Sequence, residues 1–121
     1  AQLEAACKFA IKVGYRMIDG AWVYFNDPVL GRAAKQAIAE SIGTMTRDDL
    51  YIISKVWSTH HSKQAVKMCV SDTLTNLGIS FTDLFLIHWP MGLKENVGVD
   101  PVNIEKSNLN LFKFNLNYFL T

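Results

Sequence analysis

Apolar residues recur along this chain with two alternating spacings, one typical of helices and one typical of buried strands. Three stretches carry an apolar side chain every three or four positions and are followed by glycine. This pattern predicts amphipathic helices that stop near Gly14, Gly43 and Gly78. A short, nearly continuous apolar run follows each helix, which predicts strands at residues 15–18, 50–54 and 84–87. The predicted order is helix, strand, helix, strand, helix, strand.

The ends and faces of the predicted helices carry further signals. Asp27 directly before Pro28 is typical of an N-cap followed by proline at the first helical position. Ser62 is placed to cap the third helix. We expect buried stripes on the three helices at Leu3, Ala6, Cys7, Ala10 and Ile11; at Leu30, Ala33, Ala34, Ala37, Ile38 and Ile42; and at Val66, Cys69, Val70, Thr73, Leu74 and Leu77.

Continuously apolar strands that alternate with amphipathic helices indicate a parallel sheet covered by helices, which is an α/β fold. The pattern breaks at about residue 92, and residues 92–107 are polar enough to predict a loop. Between residues 108 and 121 nearly every position is Asn, Leu, Phe or Tyr, with no helical or strand period. We therefore expect one domain over residues 1–91 and a loop with an atypical tail over residues 92–121.

Length and composition favour one ordinary domain and argue against several classes of protein. The chain has 121 residues, of which 50% are hydrophobic, and 12 basic against 11 acidic residues leave a formal charge of +1. That balance argues against a nucleic-acid-binding surface, which needs concentrated basic side chains. No apolar run approaches the ~18–20 residues that cross a bilayer, and the N-terminal segment has no apolar signal core. We expect no nucleic-acid or membrane partner.

The cysteines and histidines give no pattern of metal ligands. Cys7 and Cys69 lie far apart on predicted helices, and free buried thiols are typical of a reducing compartment. We therefore expect a cytoplasmic protein. His60 and His61 are adjacent in a loop but have no third ligand at a suitable spacing, so we expect them to be cap or surface residues.

Each predicted strand ends on an ionisable residue: Asp19, Lys55 and His88. Aromatic residues follow each strand within a few positions: Trp22 and Tyr24, then Trp57, then Trp89. Function collects at the carboxyl ends of the strands in parallel sheets, so an acid, a base and an imidazole would meet at one rim. Taken singly, each charge could simply mark where a strand meets solvent, and each tryptophan could be ordinary core or rim packing.

Tyr24 completes a set of groups that can protonate a carbonyl oxygen. A phenol titrates near pH ~10 and is a poor acid at neutrality unless a nearby ammonium, here Lys55, stabilises the phenolate. Asp19 paired with this lysine would hold it in place. A neutral His88 could then hydrogen-bond the substrate oxygen and fix its position. Together these groups would protonate the oxygen while a hydride reaches the carbon.

Three segments of the chain resemble the aldo-keto reductase family: GYRMIDGAWVYFND, RDDLYIISKVWSTHH and FTDLFLIHWP. They occur in the family's order within residues 1–91 and are similar to the first half of its (β/α)₈ barrel. The resemblance implies a partial TIM barrel of about three βα units. It also implies hydride transfer from NADPH to a small-molecule aldehyde or ketone, without a metal.

The resemblance implies roles for individual residues. Tyr24 matches the general acid, and Lys55 and Asp19 match the pair that tunes it. His88 matches the histidine that orients the carbonyl. Asp19 also matches a residue that contacts the nicotinamide ribose, and it is the one cofactor-binding residue we predict. The positions that line the substrate pocket match Val23, Trp57, His88 and Trp89.

The sequence departs from the family's pattern without removing a catalytic group. Met17 stands where the family usually has histidine, and Asp27 where it has glutamate. Trp22 replaces a commonly small or polar residue beside Tyr24 and could narrow the pocket. Near residues 41–46 the chain is slightly longer than is usual in the family.

Compared with the family, the chain begins inside the first helix and stops after the fourth strand, whereas a (β/α)₈ barrel takes roughly 250 residues. We therefore expect a fragment that keeps the catalytic residues and lacks most of the NADPH site. The alternatives are a catalytically inactive truncated product and a non-catalytic binding or regulatory protein of the same fold.

Three strands of an opened barrel leave two free sheet edges and one uncovered face. We expect the isolated chain to be marginally stable and to self-associate through these surfaces. The Phe-, Leu- and Tyr-rich tail could also cover part of the apolar surface.

Overall fold

A computed structural model describes residues 2–93 and Glu95. Helices and strands alternate along these residues: α1 (Gln2–Lys12), β1 (Met17–Asp19), α2 (Asp27–Glu40), β2 (Tyr51–Val56), α3 (Lys63–Leu77) and β3 (Leu84–Ile87). Two short 3₁₀ turns, Trp22–Tyr24 and Arg47–Asp49, lie in the connections. The predicted order of elements is confirmed.

The strands of the described residues form one parallel sheet in the order β1, β2, β3. Ile18 lies opposite Ile52, and Lys55 lies opposite Leu86. Parallel neighbours need a crossover connection, which α2 supplies between β1 and β2 and α3 supplies between β2 and β3. The predicted α/β class, a partial (β/α)₈ barrel of about three βα units, is confirmed.

The hydrophobic core lies between the helices and one face of the sheet. Its buried members come from all three helices, from β2 and from the segment before it: Ile11, Leu30, Ala34, Ala37, Met45, Leu50, Ile52 and Leu77. Helices α2 and α3 approach each other closely at Gly31, where a Cβ would overlap the backbone carbonyl of Leu77. Glycine is required there because the obstacle is backbone, which cannot turn aside.

The opposite face of the sheet is largely open within the part of the chain that the structure describes. Side chains alternate between the faces of a strand, and directly paired residues share a face. This face therefore carries Met17, Tyr51, Leu84 and Leu86, which are 61%, 42%, 37% and 39% exposed. We call these four residues the open face. The tail predicted to cover apolar surface, residues 108–121, lies outside the described residues, as does most of the predicted loop 92–107.

Two predictions for α2 are wrong. Asp27 is not the N-cap, because the backbone carbonyl of Asn26 accepts the first helical hydrogen bonds, from Val29 and Leu30. Asp27 is instead the first residue of the helix, and it is buried. Ile42 does not belong to the buried stripe, since the helix ends before it and its side chain is 90% exposed.

The first helix and strand differ in detail from the expectation. Only Ile11 of α1 is buried, and Leu3 and Ala6 are exposed because α1 packs mainly against α2. β1 begins at Met17, so Tyr15 lies outside the strand that the apolar run predicts.

Helix α3 has both of the ends that the sequence predicts. The Ser62 hydroxyl accepts a hydrogen bond from the Ala65 N–H at 3.3 Å, and Gly78 ends the helix with a φ of 64°. The Glu95 carboxylate accepts further hydrogen bonds from the backbone N–H and the hydroxyl of Ser62, at 2.6 and 2.9 Å. The predicted inner face contains the buried side chains of Cys69, Thr73 and Leu77 and the partly buried ones of Val66, Val70 and Leu74.

Both cysteines are free thiols, Cys69 buried and Cys7 partly buried. Burial raises the pKa of both thiols, that of Cys69 to about 11. Within residues 2–93 and Glu95 no helix is long and apolar enough to cross a membrane. The same residues contain no group of three or more His, Cys, Asp or Glu side chains arranged to hold a metal ion.

Candidate active site

The carboxyl ends of β1 and β2 bring an acid and a base together. Asp19 is the last residue of β1, and its Oδ1 lies 2.5 Å from the Nζ of Lys55 on β2. The same Nζ donates a hydrogen bond to the carbonyl of Gly20 at 2.9 Å. The lysine side chain is mostly buried, whereas the aspartate remains open to solvent. Lys55 is therefore fixed at the rim as a cation, and the Asp19 carboxylate stays accessible.

Tyr24 is placed above this ion pair by the 3₁₀ turn that follows β1. The Tyr24 N–H donates to the carbonyl of Ala21 at 2.9 Å, and Phe25 ends the turn in the left-handed region with a φ of 53°. The Nζ of Lys55 lies 5.8 Å from the centre of the Tyr24 ring. Tyr24 is 49% exposed, and its hydroxyl makes no hydrogen bond to a described residue. It is thus available to a ligand.

His88 closes the rim from β3. Its backbone N–H donates to the carbonyl of Val56 at 3.1 Å, which ties it to the end of β2. The imidazole ring lies 5.6 Å from the Tyr24 ring, nearly edge-on at 86°. Burial lowers the pKa of His88, and the Lys55 charge lowers it further, while Asp19 opposes the shift. His88 is therefore neutral at about pH 7, where an unperturbed histidine is already mostly unprotonated.

Two tryptophans form an aromatic wall beside His88. The Trp57 ring lies 5.3 Å from the His88 ring and 5.4 Å from the Trp89 ring. Trp57 is buried, and Trp89 is exposed. Val23, the fourth predicted pocket residue, lies in the same 3₁₀ turn as Tyr24 and is partly buried. The structure thus brings the predicted catalytic residues and the two tryptophans to one rim.

A second aromatic group is formed by Trp22, Phe25 and His60. The first two lie in the connection between β1 and α2, and His60 lies in the connection between β2 and α3. The Trp22 ring lies 4.5 Å from the His60 ring and 5.7 Å from the Phe25 ring. His60, expected to be a cap or surface residue, is partly buried and packs against Trp22, while Ser62 is the cap of α3. The Thr59 hydroxyl lies 3.0 Å from the Nδ1 of His60. Burial lowers the pKa of both His60 and His61.

Sequence reasoning missed two features of this rim. One is the Gly20 carbonyl, which shares the Lys55 ammonium with Asp19. The other is the contact between Trp22 and His60, which are far apart in the chain. Backbone carbonyls carry no sequence signal, and the stacking of two loop residues depends on how the loops fold.

Parallel βα units with polar side chains gathered at the carboxyl ends of the strands are the arrangement of (β/α)₈-barrel proteins. The sequence profile of the Aldo/keto reductase family matches residues 1–109. The chain belongs to this family. The match continues beyond residue 91, into the segment that the sequence analysis assigned to a loop.

Individual relatives are similar over most of this chain. Aldose reductase B of Dictyostelium discoideum is 42% identical over 89 residues, which are 74% of this chain and 28% of the relative. D/L-glyceraldehyde reductase of Hypocrea jecorina is 39% identical over 102 residues, 84% of this chain and 30% of the relative. The chain thus spans under a third of the length of these two relatives.

A solved structure shows the same relation in three dimensions. The aldose reductase from Schistosoma japonicum superposes with a TM-score of 0.82 at 34% identity. The matched region covers 93% of this chain and 36% of that one. The described fold is therefore similar to one part of a larger aldose reductase.

Proposed function

We propose that this chain carries the proton-donor side of an NADPH-dependent carbonyl reductase, with Tyr24 as the general acid. The observation that carries the proposal is the position of the Tyr24 ring, which contacts His88 edge-on and lies 5.8 Å from the Lys55 ammonium. The reaction converts an aldehyde or ketone to an alcohol. A hydride adds to the carbonyl carbon, and the phenolic proton goes to the carbonyl oxygen.

Lys55 and Asp19 support the proton transfer from Tyr24. When the proton leaves, the phenolate that remains is stabilised by the nearby ammonium, because opposite charges attract strongly in a partly buried site. The ion pair with Asp19 at 2.5 Å and the bond to the Gly20 carbonyl keep Lys55 in place before and after the step. These two residues act through the tyrosine and do not contact the carbonyl.

His88 positions the substrate rather than donating the catalytic proton. Its lowered pKa keeps the imidazole neutral, so that it can donate one hydrogen bond to the carbonyl oxygen without a competing charge. Trp57 and Trp89 provide a flat apolar wall on one side of this position. Val23 contributes a smaller apolar side chain from the Tyr24 turn.

The part of the rim that the structure describes fits the ribose end of a nicotinamide dinucleotide. The exposed Asp19 carboxylate can accept a hydrogen bond from a sugar hydroxyl next to Tyr24. The chemistry that NADPH supplies when bound is the hydride. By resemblance, residues for its phosphates and adenosine belong to later strands of a complete barrel. The use of NADPH rather than NADH is part of the proposal.

The proposed substrate is a small aldehyde or ketone. The relatives named above are reductases of aldoses and of glyceraldehyde, which are small carbonyl compounds. The free thiols of Cys7 and Cys69 agree with a reducing compartment such as the cytoplasm, and we place the protein there.

Replacement of Tyr24 by phenylalanine tests the proposal. We expect Tyr24→Phe to lower kcat for an aromatic aldehyde about 100-fold or more, because general acid catalysis contributes roughly that much. NADPH consumption by the full 121-residue chain is the measurement. Tyr15→Phe is the matched control, since Tyr15 is exposed and lies outside the rim, and it should keep full activity.

Nucleotide titration separates this proposal from the non-catalytic alternative. If the 121-residue chain binds no NADPH and turns over no carbonyl, it is not a reductase by itself, and a binding or regulatory role is favoured. Turnover that survives in Tyr24→Phe would remove the tyrosine from its role as acid while leaving the reductase function intact.

A further inference from the structure

A cavity of about 270 Å³ lies between the last turns of α1 and α2. Both helices lead from there into the beginnings of strands, so the cavity is at the opposite end of the sheet from Tyr24. Its apolar lining comes from Ile11, Ala37 and Met45, which are all buried. This volume is just below the usual range for small-molecule pockets.

The polar side of the cavity carries a surplus of positive charge. Lys8, Lys12 and Arg16 line it together with one acid, Glu40. Lys8 is paired with Glu40 at 2.8 Å. Within the described residues neither Lys12 nor Arg16 has a carboxylate within ion-pair distance. Two positive charges are therefore left without an acidic partner beside an apolar surface.

Asp49 lies close enough to interact with the charge of Arg16, but it does not neutralise it by contact. The Asp49 carboxylate accepts hydrogen bonds from the backbone N–H and the hydroxyl of Thr46, at 2.7 and 3.0 Å. These bonds, together with the more distant Arg16, lower the pKa of Asp49. Both bonds end on Oδ2 of Asp49, and neither oxygen of this carboxylate lies within ion-pair distance of the Arg16 guanidinium.

Basic residues near helix C-termini often bind the last free carbonyls. Here three of the last four carbonyls of α1 are already used, because those of Phe9, Ala10 and Ile11 accept backbone N–H groups. Arg16 Nη1 also donates to Ile11 at 2.8 Å and to Tyr15 at 2.9 Å, which leaves Nη2 and Nε unused. Hydrogen bonding to these carbonyls therefore does not explain the presence of Lys12, and it leaves Nη2 and Nε of Arg16 without an acceptor among the described residues.

Two of the last carbonyls of α2 are also occupied by hydrogen bonds from within the chain. The backbone N–H of Ser41 donates to the carbonyls of Ala37 and Ile38, and its hydroxyl donates to Ile38 at 2.6 Å. The chain then turns back through Ile42 and Gly43, with φ of 51° and 79°, so that Met45 lies against the cavity. This turn falls in the segment that is slightly longer than is usual in the family.

We propose that this cavity binds a small organic anion, a carboxylate or a phosphate monoester, whose charged end contacts Lys12 and Arg16. The planar guanidinium can present its two unused nitrogens to two oxygens of such a group. The apolar part of the ligand packs against Met45. The site is independent of the carbonyl-reducing rim, because the two lie at opposite ends of the sheet.

The test is a titration of the full ¹⁵N-labelled chain, followed by amide NMR, with butyrate, inorganic phosphate and neutral butyramide as probes. We expect butyrate and phosphate to shift the amides of Lys12, Arg16 and Met45 in a saturable way, while butyramide does not. Lys12 is exposed, so Lys12→Gln should weaken the affinity about two- to fivefold, as for loss of one exposed charged contact. Lys67→Gln on α3 removes the same charge elsewhere and should change it less than about twofold.

The outcomes separate clearly. Tighter binding of butyrate identifies carboxylates with an apolar body as the ligands, and tighter binding of phosphate identifies phosphate esters; either result supports the site. Absence of saturation, shifts mapped to other residues, equal binding of butyramide, or an unchanged affinity in a Lys12→Gln variant with a native-like spectrum would overturn it.

Discussion

Asp27 carries a carboxyl group into the interior at the start of α2. Its side chain is 3% exposed, and Oδ1 makes no hydrogen bond to a described residue. Burial raises its pKa to about 6, because the charged form loses its hydration. The positive end of the α2 dipole favours the carboxylate, but only by a fraction of this cost. In the unfolded chain the same group ionises near its ordinary pKa of 3.8.

We predict that Asp27→Asn stabilises the fold at neutral pH and not in acid. Between pH 3.8 and about 6 the folded state retains a proton that the unfolded state releases, so the free energy of unfolding falls as the pH rises. Asparagine does not ionise. The variant should therefore exceed the wild type by about 1–2 kcal/mol at about pH 7 and match it at about pH 4.

Urea unfolding at the two pH values measures this difference. Asp48→Asn is the control, because Asp48 is exposed in the Arg47–Asp49 turn and should change stability by less than about 0.5 kcal/mol. A gain of the same size at both pH values would show that the carboxyl charge is not the cause.

The site residues were predictable to the extent that strand ends reveal them. Asp19, Lys55 and His88 each follow a run of apolar residues, and parallel strands must deliver their carboxyl ends to one edge. The burial of Asp27 was not predictable, because Asp before proline is also the ordinary pattern of an exposed cap. Which residue starts the helix depended on the Asn26 carbonyl, which has no signature in the sequence.

At the scale of elements, the end of α2 contains a strained residue. Ile42 has a φ of 51°, and a β-branched residue in the left-handed region costs roughly 1–2 kcal/mol. Its side chain is 90% exposed and so has almost no packing to compensate. The Ser41 hydroxyl accepts a hydrogen bond from the Met45 N–H at 3.1 Å, which helps to hold the turn.

We predict that Ile42→Asn raises the free energy of unfolding by about 1 kcal/mol, since asparagine tolerates the left-handed region and no packing is lost. Gly43→Ala should do the reverse and lower the free energy of unfolding by about 1 kcal/mol, because the φ of Gly43 is 79°. No neighbouring atom lies within 4 Å of the added Cβ, so the loss comes from backbone strain and not from a clash. Thermal unfolding of both variants and of the wild type measures the two changes in stability. A loss of stability in Ile42→Asn would contradict the left-handed turn.

Helix boundaries can be predicted from the sequence where residues close in the chain supply both caps. In α3 both ends are set by neighbouring residues: the Ser62 hydroxyl reaches the Ala65 N–H, and Gly78 takes the left-handed cap. In α1 the sequence pattern predicts more buried residues than the one that is buried, Ile11. Periodicity shows which side of a helix can be buried, but it does not show how many neighbouring elements cover that side.

At the scale of the whole molecule, the open face exposes more apolar side chains than is expected of a closed core. Half of the chain's residues are hydrophobic, which suits a closed core. The described residues nevertheless leave Met17, Tyr51, Leu84 and Leu86 between 37% and 61% exposed on one side of the sheet. In a closed (β/α)₈ barrel the inner face of the sheet turns towards the other strands.

We predict that the 121-residue chain self-associates through the open face. Leu84→Lys places a charge there and should lower the association constant about tenfold, which corresponds to about 1.4 kcal/mol of lost leucine burial. Leu3→Lys makes the same change on α1, where the leucine has a similar exposure of 43% against 37%, and should leave association unchanged. Sedimentation velocity over a range of concentrations measures both. A wild-type chain that stays monomeric throughout and melts cooperatively would contradict this prediction.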